Sequence, residues 1–251
     1  MNVLKFRLYG NTAFFKKPDV NTYYYFTYGN IHKVALLGMF GAILGYGGYN
    51  QAKSNKKASY PEFYEKLKDL KIAIKPLNQS GIISRKIQIF NNSVGYASKE
   101  LGGNLIVKEQ WLENPSWNIY VSLDSDEAIK LSENILNNRA MYIPYLGKND
   151  HIANMDSVEV IKDIEKENKV NKIDSLCPKE NIIFDSISLD DEDEDDLVSE
   201  NLFKYNEMLP IALDKDTNMY VLKDLFYSNM PIKSCDSIEI YNINGNNIVF
   251  F

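Results

Sequence analysis

"YGNIHKVALLGMFGAILGYGGY", Tyr28 to Tyr49, is the stretch on which the reading of this chain turns. From Val34 to Tyr49 it is 16 residues, mostly apolar, with five glycines. A membrane span needs about 20 apolar residues, and glycine weakens a helix by up to about 1 kcal/mol relative to alanine. The stretch therefore reads as a helix packed inside a globular fold, and no membrane partner is expected. Asn30 is the expected N-cap, and Val34, Leu37 and Leu44 fall near one face. Gly38, Gly41 and Gly45 lie along one side, which is expected to let the helix sit close to a sheet. "GYGG" closes the helix, where glycine caps belong. A P-loop would need GxxxxGK[ST], and a Rossmann GxGxxG opens a helix instead of ending one. Neither pattern is present.

His32 and Lys33 precede that apolar run in the first helical turn. Cations there oppose the helix macrodipole. Either both side chains extend into solvent, or an anion sits at the helix mouth and turns the penalty into an advantage.

The neighbouring segments complete a pattern. "NVLKFRLYG" alternates apolar and basic residues and reads as a strand, with Val3, Phe6 and Leu8 against Lys5 and Arg7. "LKIAIKPL" and "SRKIQIFN" read as strands. "NLIVKEQWLENPSWNIYVSL" reads as a hairpin turning at Glu113–Ser116. Asp124 and Ser125 cap "DEAIKLSENILNN", a helix with an acidic start, and "SVEVIKDIE" is a further strand. The order βαββ(β)αβ implies an α+β, ferredoxin-like or RNA-recognition-type domain over residues 1–165. A variable, β-rich region with short strand-like pieces follows over 166–251.

Net charge is -6, yet it is unevenly spread. Residues 1–123 hold 16 Lys+Arg against 7 Asp+Glu; residues 124–251 hold 12 against 27. A basic half beside an acidic half hints at polyanion binding by the first. Seven of the acids form one run, Asp190–Asp196, which reads as a solvated loop. Cys177 and Cys235 stand alone, with no metal-ligand spacing, so a reducing cytosol fits and no metal or cofactor is expected. "FFKKPDVNTYYYFTY" mixes Lys16 and Lys17 with Tyr23, Tyr28 and other rings. Lysines neutralise phosphates and rings stack on unpaired bases, although part of such a cluster also plugs a core. No Ser/His/Asp arrangement is visible, and only His32 and His151 could serve as a histidine base.

"FRLYG", "AFFKKPDVNT" and "TYGNIHKVALLGMFGAILG", followed by "EQWLENPSWNIYV" and "YIPYLGKNDHIANM", resemble in that order the fifth CRISPR-associated protein family, the RAMP subunit of type I Cascade complexes, in its I-B branch. The resemblance spans roughly residues 2–160. It implies a ferredoxin-like domain carrying a β-hairpin thumb, here from about Gln79 to Lys108, with a structural role for "PYLG". It also implies a cytoplasmic, non-catalytic subunit that caps the 5′ handle of crRNA. Such a subunit contacts the backbone and large subunits of Cascade, and through them target DNA. The expected RNA ligands are Lys16, Lys17, Tyr23, Tyr28, His32, Lys33, Arg85, Lys86 and Lys99, with no catalytic residue. The alternative is a crRNA-processing endoribonuclease, as in the I-C branch, which uses a Tyr, Lys and His set. This chain has no histidine between His32 and His151.

Overall fold

The computed structural model describes residues 1–19, 23–52, 59–167, 170–180, 182–185, 202–235 and 238–251. Strand β1 (Val3–Tyr9) alternates as its sequence demands. Leu4, Phe6 and Leu8 are fully buried on one side. Lys5 and Arg7 face the other, where they pair with Glu159 at 2.6 Å and with Asp156. Helix α1 (Lys33–Leu44) follows, then a short α2 (Glu62–Leu67) and β2 (Ile72–Pro76). Next come β3 (Arg85–Asn91), β4 (Ile106–Glu113), β5 (Ser116–Ser122), α3 (Asp126–Leu136) and β6 (Asn154–Ile161).

The central sheet has the order β2-β5-β1-β6, and every neighbouring pair is antiparallel. Buried residues of α1 (Leu36, Leu37, Phe40) and α3 (Ala128, Leu131, Ile135) share one core with Leu4, Phe6, Leu8, Trp117, Ile119 and Val121. Burying a side chain of this size contributes roughly 1.5–3 kcal/mol, so this layer is the main source of stability. Leu209, Leu213 and Leu225 from the C-terminal strands β7 (Lys204–Leu213) and β8 (Tyr220–Ser228) enter the same core. Ile243 and Ile248, on a second C-terminal hairpin, cover part of the opposite sheet face at Val3, Ala73 and Tyr120. The acidic run 190–196 lies outside the described residues.

Three local expectations are corrected. The hairpin expected around Glu113–Ser116 does not form. Both edges of β5 are already taken, by β1 and β2, so β4 turns away and pairs with β3 instead. Asn114, at φ 48, makes the break and donates its N–H to Asn11 at 2.8 Å. The N-cap of α1 is His32, not Asn30: its backbone is extended, its ring Nδ1 accepts the N–H of Ala35 and its carbonyl accepts that of Leu36. Asn30 is instead fully buried and serves the core. The glycine side of α1 meets α2, not the sheet. Gly41 lies so close to Phe63 that a Cβ there would overlap that side chain. Gly45, at φ 81, is the left-handed C-cap the sequence implies.

Two substitutions separate close packing from mere helix patterning. At Gly38 the nearest atom to an added Cβ is 3.9 Å away. Gly38→Ala is expected to stabilise by about 0.5–1 kcal/mol through helix propensity. Gly41→Ala is expected to lose about 1–3 kcal/mol by overpacking against Phe63. Urea denaturation of the two variants reads both signs.

Candidate nucleic-acid interface

The aromatic and basic loop is a folded element. Lys17 N–H donates to Phe26 and Tyr28 N–H to Phe15, both at 2.8 Å, so the two ends of the loop form a small antiparallel ladder. Phe14 and Phe15 are buried beneath it. Tyr25 then runs beside β4: its N–H donates to Lys108 and its carbonyl accepts from Gln110, both at 2.9 Å. The loop is thereby clamped to the middle of β4, whose hairpin with β3 is inserted in sequence between β2 and β5.

The nine expected RNA ligands separate into two groups. Lys16, Tyr23, Arg85 and Lys99 are exposed. The Lys16 ammonium lies 3.9 Å from the centre of the Tyr25 ring. Tyr23, at φ 64, projects almost wholly into solvent at the loop tip. Arg85 stands at the thumb root, with its guanidinium 2.6 Å from where a Cβ on Gly29 would lie. Lys99 ends a short turn near the thumb tip. Lys86 is half-buried, 3.6 Å from Glu113 and stacked over Trp111.

The structure turns the other four inward, which corrects the expectation of a cationic helix mouth. Tyr28 is 2% exposed and packs edge-on against His32 and Tyr220; burial pushes its hydroxyl pKa up. Lys17 pairs with Glu207 at 2.7 Å and lies over the Tyr28 ring. Lys33 donates to the main-chain oxygen of Phe251 at 3.0 Å, and burial lowers its pKa. His32 is 2% exposed, and burial lowers its pKa to about 3, so it is neutral. A neutral imidazole can cap a helix through a lone pair, and that resolves the dipole conflict without any bound anion.

Glu207 collects much of this. Its carboxylate accepts from Gly29 N–H at 2.8 Å, from the Tyr205 hydroxyl, and from Lys17. Three donors satisfy a carboxylate in a partly buried place. His151 is also buried, with Nδ1 2.7 Å from Thr12 Oγ1, and burial followed by the nearby Lys148 lowers its pKa. Neither histidine is presented to solvent as a base. Among the described residues no group of three or more His, Cys, Asp or Glu is arranged to hold a metal ion. No described helix is long and apolar enough to cross a membrane.

Sequence reasoning missed a groove of about 1090 Å³ along the glycine side of α1. It runs past Lys16, Tyr25 and Gly38 to Tyr142, Tyr145 and Lys148. Lys148 is held 3.0 Å from Glu109, which is buried and also accepts from the Trp111 indole. The signal was present in "MYIPY", where Met141, Tyr142, Ile143 and Tyr145 are all exposed. Several large apolar residues in succession on a surface are seldom idle. Behind them, "PYLG" packs as expected: Leu146 is fully buried and accepts the N–H of Phe14.

A chain of a CRISPR RNA-guided surveillance complex superposes with a TM-score of 0.54 and 13% identity, over 92% of this chain and 91% of that one. A CRISPR protein from Archaeoglobus fulgidus superposes with a TM-score of 0.50 and 12% identity, over 100% of this chain and 99% of that one. The shared feature is the fold. No family model and no curated protein matches the sequence.

His32 makes stability sensitive to acid. The unfolded histidine titrates near 6.5 and the folded one near 3. Between these values the unfolded chain binds a proton that the folded chain does not, so unfolding free energy rises with pH. The contribution is whole above about 6.5 and is lost as pH falls toward 3. His32→Asn keeps a capping acceptor and is expected to flatten this acid limb. The flattening is partial, because His151 shifts in the same direction. Urea midpoints between pH 7 and pH 4 measure it.

Proposed function

We propose that this chain is a non-catalytic, RNA-binding subunit of a type I-B Cascade complex, and that it caps the 5′ handle of crRNA. The carrying observation is the antiparallel order β2-β5-β1-β6 with a hairpin inserted between β2 and β5, in a fold shared along 92% of the chain with a chain of an RNA-guided surveillance complex. On this reading the order is that of a ferredoxin-like RAMP domain over 1–165, followed by a variable part over 166–251. The backbone subunit, the large subunit and, through them, target DNA are its further partners in the cytoplasm.

The RNA-facing set is Lys16 and Tyr23 on the loop, Arg85 and Lys86 on the two faces of β3 at the hairpin root, and Lys99 near its tip. The Tyr23 ring suits stacking on an unpaired base, and the four cations suit phosphates. Lys17, Tyr28, His32 and Lys33 act behind this surface by fixing the loop and the helix start. The burial of both histidines, which keeps either ring away from a substrate hydroxyl, weighs against the alternative, an endoribonuclease with a histidine base.

Co-expression with the neighbouring subunits and a repeat-containing RNA tests this reading. The RNA that copurifies is expected to be enriched in the 5′ handle; unselected cellular RNA would overturn it. Lys16→Glu combined with Lys99→Glu is expected to weaken handle binding about tenfold at 0.15 M salt. Each lost phosphate contact should also make the salt slope shallower by about 0.7. Fluorescence anisotropy across a salt series reads both. Metal-free incubation with labelled repeat RNA is expected to leave it intact.

A further inference from the structure

Beyond Arg85, the same face of β3 carries an exposed apolar surface. Ile87 and Ile89 on β3 are 48% and 55% exposed, and Leu105 and Ile106 at the start of β4 are 55% and 51% exposed. Val94, Tyr96 and Leu101, in the connection between the two strands, are exposed as well. Only one of these seven side chains is aromatic. Aliphatic groups offer no stacking face to a base, so the surface is unsuited to single-stranded RNA and suited to burial against protein. The opposite face of the hairpin is already occupied: Phe90 lies under Lys148, and Trp111 packs on His151.

The backbone of the same strand is open. β3 stands at the end of its sheet, with β4 on one side. Glu113 N–H donates to Ser84 and Asn92 N–H to Leu105 at the two ends of the hairpin, and no register shift lies between. That parity aims the N–H and C=O groups of Lys86, Gln88 and Phe90 at β4. It aims those of Arg85, Ile87, Ile89 and Asn91 outward, and no backbone partner meets them among the described residues. Natural edge strands are shielded by proline, bulges or charge along their length. "RKIQIFN" has neither proline nor bulge, and its cations stand only at its first two positions.

We propose that the outer edge of β3 accepts an extended strand from another protein subunit of the complex, by strand addition. This rests on the proposed function, which puts the chain in a multi-subunit assembly. Residues 79–108 carry four Lys or Arg against one acid. The incoming strand is therefore one with alternate apolar residues and an acidic rim. The same charge opposes a second copy of this chain in that place, because two such thumbs repel.

Hydrogen–deuterium exchange on the co-expressed wild-type complex tests it. The amides of Ile87 and Ile89 are expected to slow about tenfold or more when the protein subunits are bound, and not with repeat RNA alone. Ile89→Pro removes an outward N–H while sparing the bonds to β4, and Ile87→Ser removes an apolar side chain from the face without adding charge. Each is expected to lower recovery of one partner subunit about tenfold, equivalent to about 1.4 kcal/mol, with repeat-RNA affinity unchanged. Protection by RNA alone would overturn the inference and make the edge an RNA site. A complete complex in which both amides exchange as in the free chain, or in which both variants assemble normally, would overturn strand addition and leave the proposed function standing. Failure of the wild-type chain to assemble at all would remove both.

Discussion

The buried amide of Asn30 ties three parts of the molecule together. Its Nδ2 donates to the carbonyl of Gly81 at 3.1 Å, and its Oδ1 accepts from the Trp117 indole at 2.9 Å. Gly81 lies just before the thumb, Trp117 lies in the central sheet, and Asn30 itself lies two residues before the cap of α1. An amide in an apolar interior costs several kcal/mol unless it is hydrogen-bonded, so this geometry is all but compulsory. Once it is met, the loop, the thumb root and the helix start have fixed positions relative to one another. The exposed cations inherit their arrangement from that constraint.

A second polar centre, Glu207, extends the same logic to the C-terminal part. It draws in Gly29, Tyr205 and Lys17 from sequence positions up to about 190 residues apart. Lys17 therefore serves the architecture, while its neighbour Lys16 faces outward. Two adjacent lysines in one motif differ in setting: Lys17 is drawn to Glu207, while Lys16 lies exposed over the Tyr25 ring.

Much of this was legible in the residues. Alternation in "VLKFRLY" gave β1 and its buried face, Ser125 gave the start of α3, and "GYGG" gave the end of α1. "SRKIQIFN" is legible as the strand β3, whereas the sequence pairs β4 with β5 and the structure pairs it with β3. Periodicity identifies strands one at a time and does not say which edges are free. The helix mouth was misread for a related reason. Residue type makes His32 a candidate cation, whereas burial decides whether a histidine carries a proton.

The sequence by itself determined the order of elements, the alternating faces of the strands, the glycine helix and its ending, and the concentration of positive charge in the first half. These follow from local backbone preference and from composition, and need no knowledge of what lies opposite. Only the tertiary structure decided which cations face solvent, which strand edge stays open, and which partner the glycines approach. Each of those depends on groups far apart in the chain coming within a few ångströms. Desolvation and pairing act over that distance, and the linear order of residues does not encode it.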